Sequence, residues 1–492
     1  MTTARRLQSG GLIDRSRRIR FKFNGKDYSG HPGDSLAAAL LAQGVRCFGR
    51  SFKYHRPRGV VGAGAEEPNA LVQVGEGALS TPNLRATQVE LYEGLIARTV
   101  NGWPSLAFDV GAINNRLSRL LPAGFYYKTF MWPRSAWMRY EHYIRRAAGL
   151  GHAPSLPDTD HYDKRHVHCD VFIAGGGPAG LIAALGAARA GARVLLVDEQ
   201  AQLGGTLLFS PAVIGGQTGL DWVSELEAEL RSFPQVTILS RSTVTGYYDH
   251  NFLVVNERRT DHIGPSQAPS KRVRERLWRI RAKQVVIATG AIERPLVFDG
   301  NDTPGVMLAS AVSTYIRRYA VAPGRSGAVF TNNDSGYQAA LDMASAGMKV
   351  RALVDIRENP GASVLAAVSA YDIPVYRGCV VPSVQSGFQG LKRIELAKLS
   401  PGGEDILSHK GLIDCQVLAM SGGWSPAVHL HSQSGGRPCY DKAKACFVPG
   451  VSVQAECSVG ACGGSFTLAA CLKEGADAGI GAAAQSGWPG GY

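Results

Sequence analysis

Residues 170–199, DVFIAGGGPAGLIAALGAARAGARVLLVDE, decide the fold. The stretch opens on the apolar run Val171-Phe172-Ile173-Ala174, short and β-branched enough for a buried parallel strand. Gly175-x-Gly177-x-x-Gly180 follows at once, and Leu181, Leu185 and Ala188 then continue as a helix closed by Gly191, a left-handed cap. A second strand, residues 194–197, ends on Asp198, 18 residues after Gly180. The three glycines do different things. Gly175 permits the tight turn, Gly177 lets backbone approach a pyrophosphate, and Gly180 packs helix on strand. The helix N-terminus at Pro178 and Ala179 offers N–H donors and a positive dipole end to the phosphates. Asp198 is placed to accept hydrogen bonds from an adenosine ribose, with Glu199 as fallback if the strand ends one residue later. The whole unit reads as a dinucleotide site.

A chain of 492 residues has room for two to four domains. Apolar content of 45% and charged content of 19% describe an ordinary soluble protein. No 18-residue window is apolar and uncharged, so no membrane span is expected. The net charge of +13 is partly local, with Arg5, Arg6, Arg15, Arg17, Arg18 and Arg20 crowding the start. Asp14 interrupts that run, which leads straight into the strand-like IRFKFNG, so a transit peptide is not expected. No nucleic-acid reader motif accompanies the basic residues; an acidic partner subunit or solubility accounts for them better. Nine scattered cysteines without a secretory leader suit reduced thiols in the cytoplasm.

Working outward, residues 1–79 read as a ferredoxin-like domain. A hairpin is expected over 19–23 and 26–29, turning at Asn24-Gly25, then a helix over 35–43 ended by Gly44, and a strand over 70–74. Residues 80–168 carry Trp103, Trp132, Trp137, Tyr126-Tyr127 and Arg145-Arg146 and read as a connecting, partner-facing region. Residues 169–300 and 421–492 form the dinucleotide-binding domain, and 301–420 a second, degenerate one. Gly204-Gly205-Thr206, the strand end Ala288-Thr289-Gly290, and Gly422-Gly423 in the crossing 418–426 are assigned to the first site. In the second βαβ pattern, 328–355, Asn332, Asp334 and Tyr337 carry side chains where a pyrophosphate needs bare backbone. Its fold is expected to be retained and its nicotinamide binding lost. Residues 460–478 supply a glycine turn and a small-residue helix that completes the first domain. The fold class is α/β: a two-dinucleotide-binding-domain, Rossmann-like flavoprotein fold preceded by a degenerate β-grasp domain.

Taken together, the chain resembles the α subunit of heterotetrameric sarcosine oxidase over roughly residues 10–485. The resemblance is carried by GGLIDRSRRIRFKFNGKDYSGHPGDSLAAALLAQGV (10–45), GRSFKYHRPRGVVGAGAEEPNALVQV (49–74), the GGGPAG segment, ATGAIERP (288–295), TNNDSGY (331–337) and SGGWSPAVHLHSQSGG (421–436). It implies a structural NAD in the glycine-motif site, with FAD as the alternative occupant, and FMN at an interface with a partner. It also implies a flavoprotein β-type subunit that oxidises a small secondary amine, and small accessory subunits. A folate-binding, aminomethyltransferase-like domain normally follows in that family, whereas this sequence stops at Tyr492. Relatives without it include dye-linked proline and hydroxyproline dehydrogenases and opine oxidases.

Other constellations are weaker. A plant-type [2Fe–2S] cluster needs C-x4-C-x2-C plus one further cysteine, and here Cys47 is followed by FGRSFK. Cys439, Cys446, Cys457, Cys462 and Cys471 contain no C-x-C or C-x2-C pair, and Cys462 and Cys471 read as small hydrophobes. His161, His166, His168 and Cys169 read as a solvated linker rather than zinc ligands. His429 and His431, on alternate residues, are expected on one side of a strand in a structural role. No metal site and no catalytic nucleophile–base pair are expected; cofactors carry the redox chemistry. Two further readings remain: a self-sufficient FAD-dependent, NAD(P)H-linked reductase, and a structural subunit with a non-catalytic nucleotide. The degenerate second motif and the lack of C-x4-C near Leu203-Gly204-Gly205 oppose the reductase.

Overall fold

A computed structural model describes residues 5–120, 124, 132–265, 272–387 and 389–489. The chain forms two compact units, Met1–Thr159 with Pro295–Gly423, and Asp160–Arg294 with Trp424–Tyr492. Tyr126 and Tyr127 lie outside the described residues. Among the described residues no helix is long and apolar enough to cross a membrane.

The first unit begins with a five-stranded sheet. Its order is Lys26–Gly30, Ile19–Phe23, Leu95–Arg98, Leu71–Val74, Thr81–Arg85. Asn24 and Gly25 both take positive φ, 50° and 76°, as a two-residue hairpin turn requires. Leu36–Ala42 is a helix with every residue buried, capped by Ser35, whose hydroxyl accepts from Ala38 N. The expected boundary at residue 79 is wrong. Leu95–Arg98 occupies the centre of this sheet, parallel to Ile19–Phe23, with Leu95 and Ala97 buried. The domain therefore includes part of what reads in sequence as connecting region.

The same unit holds a five-stranded parallel sheet ordered Val306–Leu308, Val417–Ser421, Ser326–Thr331, Lys349–Asp355, Val375–Arg377. One apolar core runs through it and the small N-terminal sheet. Tyr315 Oη donates to Gly62 O at 3.1 Å, and Leu308 N donates to Val61 O at 2.8 Å. The N-terminal arm is tied down as well: Leu7 N donates to Ala320 O, and Arg6 forks onto the buried Asp34 at 2.6 and 2.9 Å.

The second unit is built on a seven-stranded sheet in which Val236–Leu239, Val194–Val197, His161–Ala174 and Val273–Ile287 are successive neighbours. Glu456–Ser458 adds to Val273–Ile287 in parallel. Here the linker reading of His161, His166, His168 and Cys169 fails, although the three histidines are solvent-exposed. They belong to the strand His161–Ala174, whose ladder with Val273–Ile287 runs back to His161, and Cys169 is buried. The expected boundary at 168/169 thus falls inside a strand. Helix Pro178–Arg189 packs on Leu468–Gln485 at backbone distance; a Cβ at Gly479 would lie 2.1 Å from Ala183 O.

Candidate functional site: the glycine-loop dinucleotide site

The strand His161–Ala174 hands over to Gly175 at φ 106°, and Gly175 N still donates to Val197 O at 2.8 Å. A Cβ on Gly175 would stand 2.3 Å from Ala288 O, and one on Gly180 would stand 1.8 Å from Gly175 O. Both positions are closed by protein backbone. Gly177 is different. Its backbone is ordinary (φ −77°, ψ −174°), and a Cβ there would meet only Gly205 Cα, at 3.9 Å. The first glycine and the third serve packing; the second borders open space.

That open face lies at the start of helix Pro178–Arg189, which Gly177 caps without a side-chain hydrogen bond and Pro178 enters in its first turn. Proline there sacrifices an N–H that has no helical acceptor, and the remaining first-turn donors suit an anion. Gly204 N donates to Gly176 O at 2.8 Å, which brings Gly204, Gly205 and Thr206 alongside the loop. A bare cradle, a positive dipole end and a second glycine loop fit the pyrophosphate of a dinucleotide.

Asp198 stands at the site. Its carboxylate accepts from Gly176 N and from Gln200 N, each at 2.7 Å. A carboxylate offers about four acceptor positions, so bracing the loop is compatible with accepting from a ribose. The Glu199 carbonyl accepts from Arg258 at 3.1 Å. Ala288 N donates to Ala174 O at 2.8 Å, setting the Ala288-Thr289-Gly290 turn beside Gly175. Thr289 Oγ1 donates to Ala427 O at 3.1 Å and contacts Cys462 Sγ at 3.2 Å. Burial pushes the Cys462 thiol above its ordinary value. Ala427 and Cys462 are neighbours of the site that spacing along the chain does not reveal. Gly422 and Gly423 fall in the first unit, directly after the strand Val417–Ser421.

The second loop, 331–337, is braced by its own side chains. Asn333 Nδ2 donates to Ser421 O and Oγ, while its Oδ1 accepts from Ser335 N at 3.0 Å. Arg357 pairs with Asp334 at 2.8 Å and forks onto Asp355, which also accepts from Tyr337 Oη at 2.9 Å. Side chains therefore brace this loop, where the first loop has bare backbone.

The two histidines behave differently from the strand expectation. They lie on the short helix His429–Gln433, where residues two apart face different ways. His429 is exposed; His431 is fully buried. His431 Nε2 accepts from Gly450 N at 3.1 Å, so Nδ1 carries the proton and donates to Glu456 Oε1 at 2.8 Å. Neither element signals the other in sequence. Among the described residues no cluster of three or more His, Cys, Asp or Glu forms a metal-ligand set.

Residues 16–102 match the family described as "2Fe-2S iron-sulfur cluster binding domain", and 169–326 match "Pyridine nucleotide-disulphide oxidoreductase". The iron–sulfur group does not fit the residues present in 16–102. Cys47 is the only cysteine there, its thiol donates to Gly49 O, and burial raises its pKa. The fold is also that of L-proline dehydrogenase from P. horikoshii (TM-score 0.64, 19% identity, 97% of this chain and 75% of that one). Sarcosine oxidase subunit alpha of Rhizobium meliloti (strain 1021) is 48% identical over 96% of this chain and 46% of its own length. That of Corynebacterium sp. (strain P-1) is 39% identical over 97% and 44%. The chain spans about half the length of these curated relatives, and over nearly its whole length it is similar to sarcosine oxidase α subunits.

Proposed function

We propose that this chain is the α-type subunit of a heteromeric flavin-dependent enzyme, an oxidase or dehydrogenase, that oxidises a small secondary amine of the sarcosine, proline or opine kind. The observation that carries the reading is the contrast between the two glycine loops. One is an open cradle at Gly177; the other carries a side-chain network of Asn333, Asp334, Arg357 and Tyr337 in place of the bare glycine pattern. A self-sufficient reductase needs two working nucleotide sites, one for FAD and one for a nicotinamide donor. A subunit that only holds a dinucleotide needs one.

In this reading NAD occupies the loop as a structural group, with FAD as the alternative, and an FMN bound at an interface with the partner supplies the onward electron transfer. The backbone of Gly175, Gly177 and Gly180, with Pro178 opening the helix and the first-turn N–H donors of Ala179 and Gly180, holds the pyrophosphate. Asp198 keeps Gly176 in place and takes the ribose, with Glu199 next to it. Gly204, Gly205 and Thr206 cover the phosphates, and Ala288, Thr289 and Gly290 border the far side. Gly422 and Gly423 serve the chain crossing. The amine site lies in a flavoprotein β-type subunit, small accessory subunits complete the assembly, and the complex works in the cytoplasm. The N-terminal domain acts as a cluster-free scaffold, the segment between it and the strand His161–Ala174 faces the partner, and 301–420 keep a nucleotide-binding fold without the ligand.

The test is amine-dependent dye reduction by the purified chain, alone and with its flavoprotein partner, across sarcosine, proline, hydroxyproline and opines. Activity is expected only in the mixture. Turnover by the chain alone, with FAD bound at Gly177, overturns the subunit reading.

A further inference from the structure

Residues 50–58 and 101–120 meet in the first unit around a buried ionic hub. His55 Nδ1 lies 2.6 Å from Asp109 Oδ2, both side chains are under a tenth exposed, and His55 takes a positive φ of 52°. The other Asp109 oxygen accepts from Trp103 N and Gly111 N, each at 3.0 Å. Burial alone raises a carboxyl pKa, but these bonds and the imidazole outweigh it and hold Asp109 below its ordinary value. Arg50 ties the two segments together, donating to His55 O at 2.9 Å and to Leu106 O at 3.0 Å. Asn114 Nδ2 donates to Lys53 O, and Arg56 Nε to Asn115 Oδ1 at 2.7 Å. A non-glycine residue held at positive φ by so many bonds marks a rigid loop.

The fixed loops present apolar side chains outward. Phe52, Trp103, Phe108, Val110 and Ile113 are 53, 72, 70, 50 and 57% exposed. The interleaved charges are of one sign: Lys53, Arg56 and Arg116 lie at the surface or half-buried, and the only acid of the two segments, Asp109, is consumed inside. Exposed aromatics interleaved with cations on a rigid loop match the composition of protein interfaces rather than of free surface.

We propose that this surface docks the acidic face of the partner flavoprotein subunit, its aromatic side chains filling apolar pockets and Lys53, Arg56 and Arg116 meeting carboxylates. The assignment rests on the heteromeric reading above. A lipid surface fits less well: an interfacial helix lays a continuous apolar stripe against the membrane, and the exposed apolar residues here sit on loops and the four-residue helix Ile113–Arg116.

The experiment measures binding of the full chain to the purified flavoprotein subunit at low and high salt. Phe108→Ala and Trp103→Ala are each expected to weaken binding about tenfold. The double reversal Arg56→Glu/Arg116→Glu is expected to weaken it about a hundredfold at low salt and to abolish most of the salt dependence. Arg231→Glu, an exposed residue of the second unit, is the control and leaves affinity unchanged. Circular dichroism and the urea unfolding transition of each variant report that it is folded. Unchanged affinity in all surface variants overturns the assignment and leaves the heteromeric enzyme standing. Failure of the wild-type chain to bind the subunit at all overturns both. Binding to phosphatidylglycerol vesicles that the reversal abolishes, with subunit affinity unchanged, assigns the surface to a membrane and overturns the proposal.

Discussion

Gly177 caps the helix and Gly180 lies in its first turn, three residues on, yet alanine is expected to do different things at the two positions. At Gly177 the backbone is in a region open to any residue, and the new Cβ finds its nearest neighbour at 3.9 Å. The folding cost of Gly177→Ala is that of replacing a glycine helix cap, at most about 1 kcal/mol. The methyl instead occupies the face left for pyrophosphate. Displacing one or two hydrogen bonds to a charged group costs about 1.5–3 kcal/mol each, which weakens binding roughly tenfold to more than a hundredfold. At Gly180 the Cβ would lie 1.8 Å from Gly175 O, a backbone atom of a loop that is itself pinned to Val197 and Ala288. Relief requires moving helix against strand, an overpacking cost of about 1–3 kcal/mol or more. The assay has two arms: nucleotide released per chain after gel filtration, and urea unfolding of nucleotide-stripped protein, because bound ligand itself adds stability. Gly177→Ala should lose nucleotide at near wild-type stability, whereas Gly180→Ala should lose both. Full nucleotide retention by Gly177→Ala, or an undisturbed Gly180→Ala, refutes the division of labour between the glycines.

Two further perturbations follow from buried charge. His431→Ala leaves the Glu456 carboxylate without its partner in a fully buried site and should destabilise the chain by about 3–5 kcal/mol, while Glu456→Gln keeps an acceptor for Nδ1 and should cost less; equal unfolding midpoints for the two variants count against the pair. Asp170 is buried, and its bonds from Arg193, then Lys283, hold its carboxyl well below the ordinary 3.8. A depressed carboxyl contributes stability above its unfolded pKa and loses it as pH falls through the folded one, so the contribution fades below about pH 4. Asp170→Asn should therefore be less stable at neutral pH and shallower on the acid limb; parallel stability–pH curves for variant and wild type would contradict this.

Elements built from local pattern are legible along the chain. The hairpin around Asn24-Gly25, the helix Leu36–Ala42, the glycine loop with its flanking strands and the second βαβ unit all announce themselves within about thirty residues. Residues 81–98 and 161–168 escape such a reading because neither carries a clear apolar alternation of its own. In the first, Leu95–Arg98 becomes sheet by filling the gap beside Ile19–Phe23 and Thr81–Arg85 by pairing with Leu71–Val74; the second does so by the long ladder to Val273–Ile287. For His429 and His431 a spacing of two suits a strand, and only the helix His429–Gln433 separates their faces.

What the sequence determined by itself is the dinucleotide loop, because turn geometry, helix dipole and glycine packing are all set by residues close along the chain. It also determined that the second loop lacks bare backbone. What only the tertiary structure decided is which glycine faces protein and which faces open space, that Asp198 braces Gly176, and that Cys462 and Ala427 border the site. The structure alone likewise shows that Asn333, Arg357 and Tyr337 join a side-chain network around the second loop, and that His431 and Glu456, 25 residues apart, form one buried pair. Those facts depend on contacts between segments far apart in sequence, where no periodicity or spacing rule reaches.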